Sequence, residues 1–444
     1  MSSDSFVNYK DKRDVEFSKY LNLQFKAYPL VKPELRYKID KPSAIPLSMS
    51  KSLNSVGPVV NIRIKKQKNI EKKQNHKQKK NKKDISFDFF GTNLGFNIPD
   101  GLRDAKYYPQ NQKGIRNFFN KSAASEYDNL LVEIQNISKK MNLNDWAIYL
   151  LVNKLSKNTL TNSDDVKLLS WFLLNKMGYS VKVGIISKRI VLMFYSKKII
   201  YATPSYIFNN KRYYLISQYS KSSLLRVYSY IQDYPSSNKE LDLSLSSLPK
   251  FEEDIKIKTL KFKIHAKKYE FDISYNKNII NFMDTYPQVD YETFFNAPME
   301  NRTYEDIVSA LKKYINSKHA STAINFVLNF VQNAFVYEKD IKQFNREKVM
   351  FAQEVLFYDK SDCDDRAVLF SYLIKKLFSI TVIGLKYDDH MSTALYIPMK
   401  GDSVRLMSKR FIVADPSYIN ASIGQSIAKY KSIKPTKFIM INKD

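Results

Sequence analysis

A single cysteine among 444 residues excludes an intramolecular disulfide and any cysteine-rich zinc site, and it leaves the redox compartment open. Histidine is nearly as scarce: His76, His265, His319 and His390 are too scattered to form a metal cluster. No uninterrupted apolar stretch reaches the length of a bilayer crossing, so a soluble chain with no transmembrane segment is expected. The opening residues, Met1-Ser2-Ser3-Asp4-Ser5, lack the basic-then-apolar profile of a secretory signal, which leaves a cytoplasmic protein or a mature form with an added methionine. Acidic residues are in deficit, 44 against 72 Lys and Arg, for a net charge of +28. Such a charge suits attraction to nucleic acid, anionic lipid or acidic polymer. Lysine, asparagine, isoleucine and tyrosine abound together, as in proteins of AT-rich genomes, and we prefer that compositional account.

The lone cysteine sits in the most informative stretch, Ser361-Asp362-Cys363-Asp364-Asp365-Arg366-Ala367-Val368-Leu369-Phe370. Ala367, Val368, Phe370, Ser371, Ile374, Leu377 and Phe378 follow it at near-helical spacing. Asp362 suits the N-cap, and Asp364 and Asp365 suit the positive end of the helix dipole. A thiol in the first turn feels the same positive end, which favours thiolate, while the neighbouring aspartates oppose it. Those aspartates also argue against deep apolar burial. Downstream, His390 and Asp415 lie in strand-like surroundings: Ile380 to Leu385 leads to the histidine, Ala394 to Ile397 leads away, and Arg410 to Ala414 carries the aspartate. Cysteine, histidine and aspartate in this order supply a nucleophile, a base and an orienting carboxylate.

The pattern D-C-x-D-R-A, then H-x-x-T-A, then D-P-S-Y resembles the transglutaminase-like superfamily of papain-fold cysteine enzymes. Within it the chain is most similar to transglutaminase-like proteins of Bacteroidetes. The likeness runs from about Phe87 to the end, through Leu143-Asn144-Asp145-Trp146, Phe330-Val331-Gln332, Gln343-Phe344 and Leu356-Phe357-Tyr358. The resemblance implies Cys363 as nucleophile, His390 as general base and acid, and Asp415 as the residue that orients it. It also favours an exported protein of the periplasm or cell envelope.

Along the chain, Phe6 to Phe25 reads as an amphipathic helix with Phe6, Tyr9, Phe17, Tyr20 and Leu21 on one face, followed by a Pro/Ser linker. Residues Arg63 to Lys83 form a low-complexity basic run of the kind that stays solvated. It offers a polyanion or envelope contact. No aromatic residue interleaves with its lysines, so specific nucleic-acid binding is not expected. Helices are expected over Tyr127–Met141, Trp146–Leu155 and Val166–Met177, then strands over Ser180–Ile186, Ile190–Tyr195 and Lys198–Ala202.

This last region repeats the cysteine region. Without gaps, Asp164–Ile185 lies on Asp364–Leu385, with Asp164, Asp165, Leu169, Leu173, Lys176 and Gly184 identical to their counterparts. Further on, Ala202-Thr203-Pro204-Ser205-Tyr206-Ile207 lies on Ala414-Asp415-Pro416-Ser417-Tyr418-Ile419. We read an internal duplication whose first copy has lost its chemistry, with Ser163, Ile190 and Thr203 at the positions of Cys363, His390 and Asp415. That Thr203 precedes the same Pro-Ser-Tyr implies that the turn itself does not require an aspartate, which favours a chemical role for Asp415.

The expected architecture is α+β, a duplicated papain-like or transglutaminase-like fold. It comprises an N-terminal extension over 1–85, a degenerate first copy over 86–211, a β-rich linking domain over 212–302 and an intact catalytic copy over 303–444. The expected function is cysteine-dependent attack on an amide of a protein or peptide substrate, with hydrolysis through a thioester and no metal or organic cofactor. The alternatives are a protein-crosslinking acyl transferase and a non-catalytic binding or scaffold protein of the cell envelope. The backbone N–H of Cys363 is the natural first oxyanion donor, and Gln343 is the candidate for a second.

Overall fold

The computed structural model describes residues 3–23, 25–36, 43–46, 55–62, 83–216 and 226–442. The basic run falls outside them apart from Lys83, as do the side chains of Phe6 and Tyr9. The described parts form two compact units. One draws on Met1–Leu35, His76–Leu243 and Pro249–Glu252, the other on Arg36–Asn75, Ser244–Leu248 and Glu253–Asp444. The span 212–302 is divided between them. Both units mix helix and sheet, an α+β composition with barrel-like sheets. No described helix is long and apolar enough to cross a membrane.

The first unit opens with helix α1 (Ser3–Leu23), strand β1 (Lys26–Pro29) and the hairpin β2 (Ile85–Phe89)–β3 (Thr92–Phe96). Helices α2 (Asp100–Arg103), α3 (Gln112–Ala123), α4 (Asp128–Lys140), α5 (Asp145–Thr159) and α6 (Ser163–Lys176) follow. Phe17 and Leu21 of α1 are buried, as their spacing implies. Helix α6 starts where the Asn162 side chain accepts the N–H groups of Asp164 (2.8 Å) and Asp165 (3.4 Å), a side-chain N-cap. Its residues Val166, Leu168, Leu169, Trp171, Phe172, Leu173 and Leu174 are buried on every side, which marks a core helix rather than a surface one. Strands β4 (Val181–Ile186), β5 (Arg189–Tyr195), β6 (Ser205–Phe208), β7 (Lys211–Leu215) and β8 (Arg226–Ser229) then form the sheet β1-β8-β4-β5-β7-β6. Just after β1, Val31 N–H donates to Ser205 O at 2.8 Å, an isolated bridge that brings the two edges of the curled sheet together at this point.

The second unit begins with the long hairpin β9 (Ile255–Ile264)–β10 (Lys267–Asn276), whose alternating apolar residues Leu260, Phe262, Phe271 and Ile273 are buried. Helices α7 (Lys277–Asp284), α8 (Tyr291–Phe295), α9 (Asn301–Ile315) and α10 (Ala320–Asn333) follow. After short strand β11 (Val336–Tyr337) come α11 (Asp340–Phe344) and α12 (Ala352–Phe357), then β12 (Lys360–Ser361) and helix α13 (Cys363–Phe378). Helix α13 ends with Ser379 in the left-handed region at φ 54°, a terminus of the αL kind. The remaining strands are β13 (Val382–Lys386), β14 (Met391–Leu395), β15 (Ser403–Leu406), β16 (Lys409–Ala414) and β17 (Lys437–Met440), in the order β15-β16-β14-β13-β17.

Counted from the central helix of each unit, the strand orders coincide: β8-β4-β5-β7-β6 in the first and β17-β13-β14-β16-β15 in the second. Gly184 of β4 and Gly384 of β13 sit at matching places for a matching reason. A Cβ on either would strike the outer strand, at 2.3 Å from Val227 Cγ2 and 2.9 Å from Ile439 Cβ respectively.

Candidate active site

Strand β12 delivers the chain to the N-terminus of α13, where Cys363 is the first helical residue. Its N–H is one of the donors that a helix leaves without an internal acceptor. The Cys363 side chain is 1% exposed and its Sγ accepts the N–H of Met391 at 3.2 Å. That bond ties the sulfur to the residue beside His390, at the start of β14. Burial, with Asp364 beside it, pushes the thiol well above its ordinary pKa, against the pull of Met391 N–H and Lys386. The expectation that the aspartates keep this cysteine from deep burial is therefore overturned. Asp362, Asp364 and Asp365 are buried along with it, because local backbone N–H groups satisfy part of their demand: Asp365 Oδ1 accepts from Met350 (2.7 Å), Asp365 Oδ2 from Asp362 (3.1 Å) and Asp364 Oδ1 from Asp365 (3.0 Å).

His390 and Asp415 meet. His390 Nε2 lies 2.8 Å from Asp415 Oδ2. The other carboxylate oxygen, Oδ1, is fixed by three donors: Ser417 N–H (2.9 Å), Ser417 O–H (2.9 Å) and Tyr418 N–H (3.2 Å). Burial raises the Asp415 pKa, but His390 and the hydrogen bonds from His390 and Ser417 outweigh it and hold the carboxyl below its ordinary value. It is ionised at neutral pH, as a residue that orients an imidazole must be.

Two further residues complete the histidine's setting. The Tyr430 ring stacks on His390 with centroids 4.7 Å apart and planes at 14°, and its O–H donates to Asp389 Oδ1 at 2.8 Å. Gln332, buried on α10, donates from Nε2 to the carbonyls of Asp415 (3.0 Å) and Ala421 (3.1 Å), clamping both ends of the loop that bears the aspartate. Sequence reading quoted Gln332 only as part of a resemblance; its signal is an amide on a helix face otherwise made of Ile324, Val327, Leu328 and Val331. Tyr430 left no signal. Gln343, the expected oxyanion donor, lies on α11 with its Oε1 buried and unpartnered, and no hydrogen bond links it to Cys363 or His390.

Beneath the cysteine, carboxylate oxygens of Asp340, Asp362 and Asp365 lie within 4.8 Å of one another. Oδ1 of Asp340 and Oδ1 of Asp362 have no hydrogen-bond partner. Burial and mutual repulsion push Asp340 up to about 10, Asp365 up to about 8 and Asp362 well above the usual carboxylate range. Carboxyls raised in this way share protons with one another at neutral pH. Arg366 supplies the adjacent cation; it donates to Ser361 Oγ (3.1 Å), Gln332 O (3.2 Å) and Phe335 O (2.7 Å).

At the matching place in the first unit, Ser163 begins α6, and its Oγ accepts from Arg189 Nη2 at 2.6 Å, a cation that cannot remove its proton. The expected match of Thr203 to Asp415 does not hold. Asp415 follows β16, whereas Thr203 precedes β6, and its Pro-Ser-Tyr runs into that strand instead of forming a turn. By strand pairing, Gly184 faces Val191 as Gly384 faces Thr393, so Leu215 opposite Met193 corresponds to Ile412 opposite Leu395. The aspartate's counterpart then falls outside the described residues, and the counterpart of His390 is Lys188 rather than the expected Ile190. Thr203 therefore does not bear on whether the turn after β16 requires a carboxylate. No protein-family model, curated protein or solved structure matches this chain.

Proposed function

We propose that the protein is a cysteine-dependent amide-bond enzyme of the transglutaminase-like, papain-fold kind, acting on a protein or peptide substrate. One observation carries the reading: the His390–Asp415 pair at 2.8 Å, with the residue after that histidine hydrogen-bonded to the sulfur of the only cysteine. In this mechanism the Cys363 thiol gives its proton to His390 as sulfur attacks the carbonyl carbon. The resulting oxyanion takes the Cys363 N–H, and His390 then protonates the leaving amine. Water cleaves the thioester, with His390 as base. Attack by an amine would instead yield a crosslink.

We further infer that the two units are copies of one fold. The common strand order, the two glycines pressed by their outer strands and the second aspartate of each helix accepting an upstream N–H, from Tyr107 (2.6 Å) or Met350 (2.7 Å), support this reading. The first copy, lacking nucleophile and base, then serves structure or binding.

A scaffold function for the whole chain has its own support, since Cys363 is 1% exposed and its thiol is pushed up by burial. Alkylation by iodoacetamide, followed by mass spectrometry across pH, separates the two. The catalytic reading expects His390→Ala and Asp415→Asn to slow the reaction at neutral pH by about tenfold or more, because the base that draws off the proton is lost. Equal rates in all three proteins would leave the scaffold reading in its place.

A further inference from the structure

A segment of the chain's own N-terminal arm pairs with the loop that follows Asp415. Ala44 forms a parallel bridge with Ile419, four residues past Asp415. Ile419 N–H donates to Ser43 O at 3.1 Å, and Ile45 N–H donates to Ile419 O at 3.0 Å. The Asn420 side chain adds a third bond, from Nδ2 to Ile45 O at 2.9 Å. Ser43 and Ala44 are exposed and Ile45 is half-buried, so the contact is made by main chain rather than by matched side chains. Ile419 lies in the turn that follows β16 and forms an isolated bridge; main-chain pairing of this kind accepts an extended segment irrespective of its sequence.

A second anchor lies upstream. The Arg36 guanidinium sits 4.5 Å from the Tyr291 ring centroid and 5.7 Å from that of Phe294. It donates to Gln288 Oε1 at 2.5 Å and to Val289 O. Arg36 and Ser43 are seven residues apart, a reach of at most about 25 Å, so Arg36 tethers the arm within that distance of its pairing with Ile419.

We propose that the Ile419–Asn420 segment is the binding site for an extended polypeptide substrate, and that Ser43–Ile45 occupies it as an intramolecular blocker anchored by Arg36. The consequence at Cys363 rests on the catalytic reading; the pairing itself does not. An arm tethered beside its pairing partner is present at high effective concentration, and a free peptide must outcompete it. The enzyme is thereby latent until the arm is cleaved or displaced, which fits a thiol that is 1% exposed.

The test uses the full chain and reads Cys363 alkylation. Ile45→Pro deletes the N–H that bonds to Ile419 O, and Asn420→Ala deletes the third bond. Each is expected to raise the alkylation rate, the first by tenfold or more. A synthetic peptide of residues 40–47 added to the Ile45→Pro protein should slow alkylation again, and the Ile419 amide should exchange faster in Ile45→Pro until that peptide is added. Unchanged alkylation in both variants, or a peptide without effect on rate and on exchange, overturns the proposal. Should Ile45→Pro disturb folding, Asn420→Ala with the peptide decides alone. Repeating the comparison in His390→Ala separates the two readings. A blocker yields the same opened-to-closed ratio there whether or not the triad is real, whereas a triad lowers the rate in both arm states whether or not the arm blocks.

Discussion

At the scale of single residues, the candidate site depends on how the imidazole of His390 is held. Asp415 takes its edge through Nε2, and Tyr430 takes its face at 4.7 Å. An aromatic contact of this kind is worth about 0.5–1.5 kcal/mol, or roughly two- to tenfold in rate if it is needed for the productive orientation. Tyr430→Ala is therefore expected to lower kcat by that factor and leave KM nearly unchanged. Tyr430→Phe keeps the ring, loses only the bond to Asp389, and should stay near wild type. Equal losses in both variants would mean that the hydroxyl, not the stacking, matters. Asp415→Asn removes the charge facing the imidazolium, and a fall of about 10²–10⁴ in kcat is expected on an amide substrate, far outside the range of the stacking variant.

At the scale of elements, the N-terminus of α13 concentrates acid where the fold can least solvate it. Asp340 from α11 and Asp362 and Asp365 from α13 are held protonated by burial and by one another. In the unfolded chain they ionise near 3.8. Below about pH 4 both states are protonated and the contribution is fully present. As pH rises, the unfolded carboxyls release protons that the folded ones retain until about 8 for Asp365 and about 10 for Asp340, so stability falls across that window. Asp415 acts in the opposite sense, but only below its unfolded value, and does not disturb the measurement. Urea midpoints taken at about pH 5, 7 and 9 should decline in the wild type and decline less in Asp340→Asn; parallel slopes would refute the shared-proton account. Much of this element was legible in advance. The start of α13 at Cys363, the hairpin β9–β10 and the carboxyl partner of His390 follow from apolar periodicity and residue order. The depth of the aspartates was not, because it depends on N–H groups of Met350 and Lys348 brought in from another loop. Nor was the fate of Pro-Ser-Tyr, a turn after Asp415 and a strand after Thr203: the same tripeptide obeys whichever register its sheet imposes.

At the scale of the molecule, the two units share a strand order, and the proposed chemistry belongs to one of them. The second unit has sulfur at the helix start, imidazole before β14 and carboxylate after β16. The first has Ser163 bonded to Arg189. If nucleophile identity alone separated the proposed copies, Ser163→Cys in a Cys363→Ser background would restore amide hydrolysis. Geometry predicts otherwise. A thiol at position 163 would face a guanidinium, which favours thiolate, yet the described residues of the first unit include no histidine to protonate the leaving amine. The expected outcome is a cysteine that alkylates readily but turns over no amide substrate. The two readouts therefore part company in a single protein. Restored turnover in this variant would mean that the first unit holds a base the residues around α6 do not reveal, and the division of labour between the units would have to be redrawn. Fast alkylation without turnover would place the whole difference in the missing His390 and Asp415 counterparts, and would assign the first unit to structure or binding.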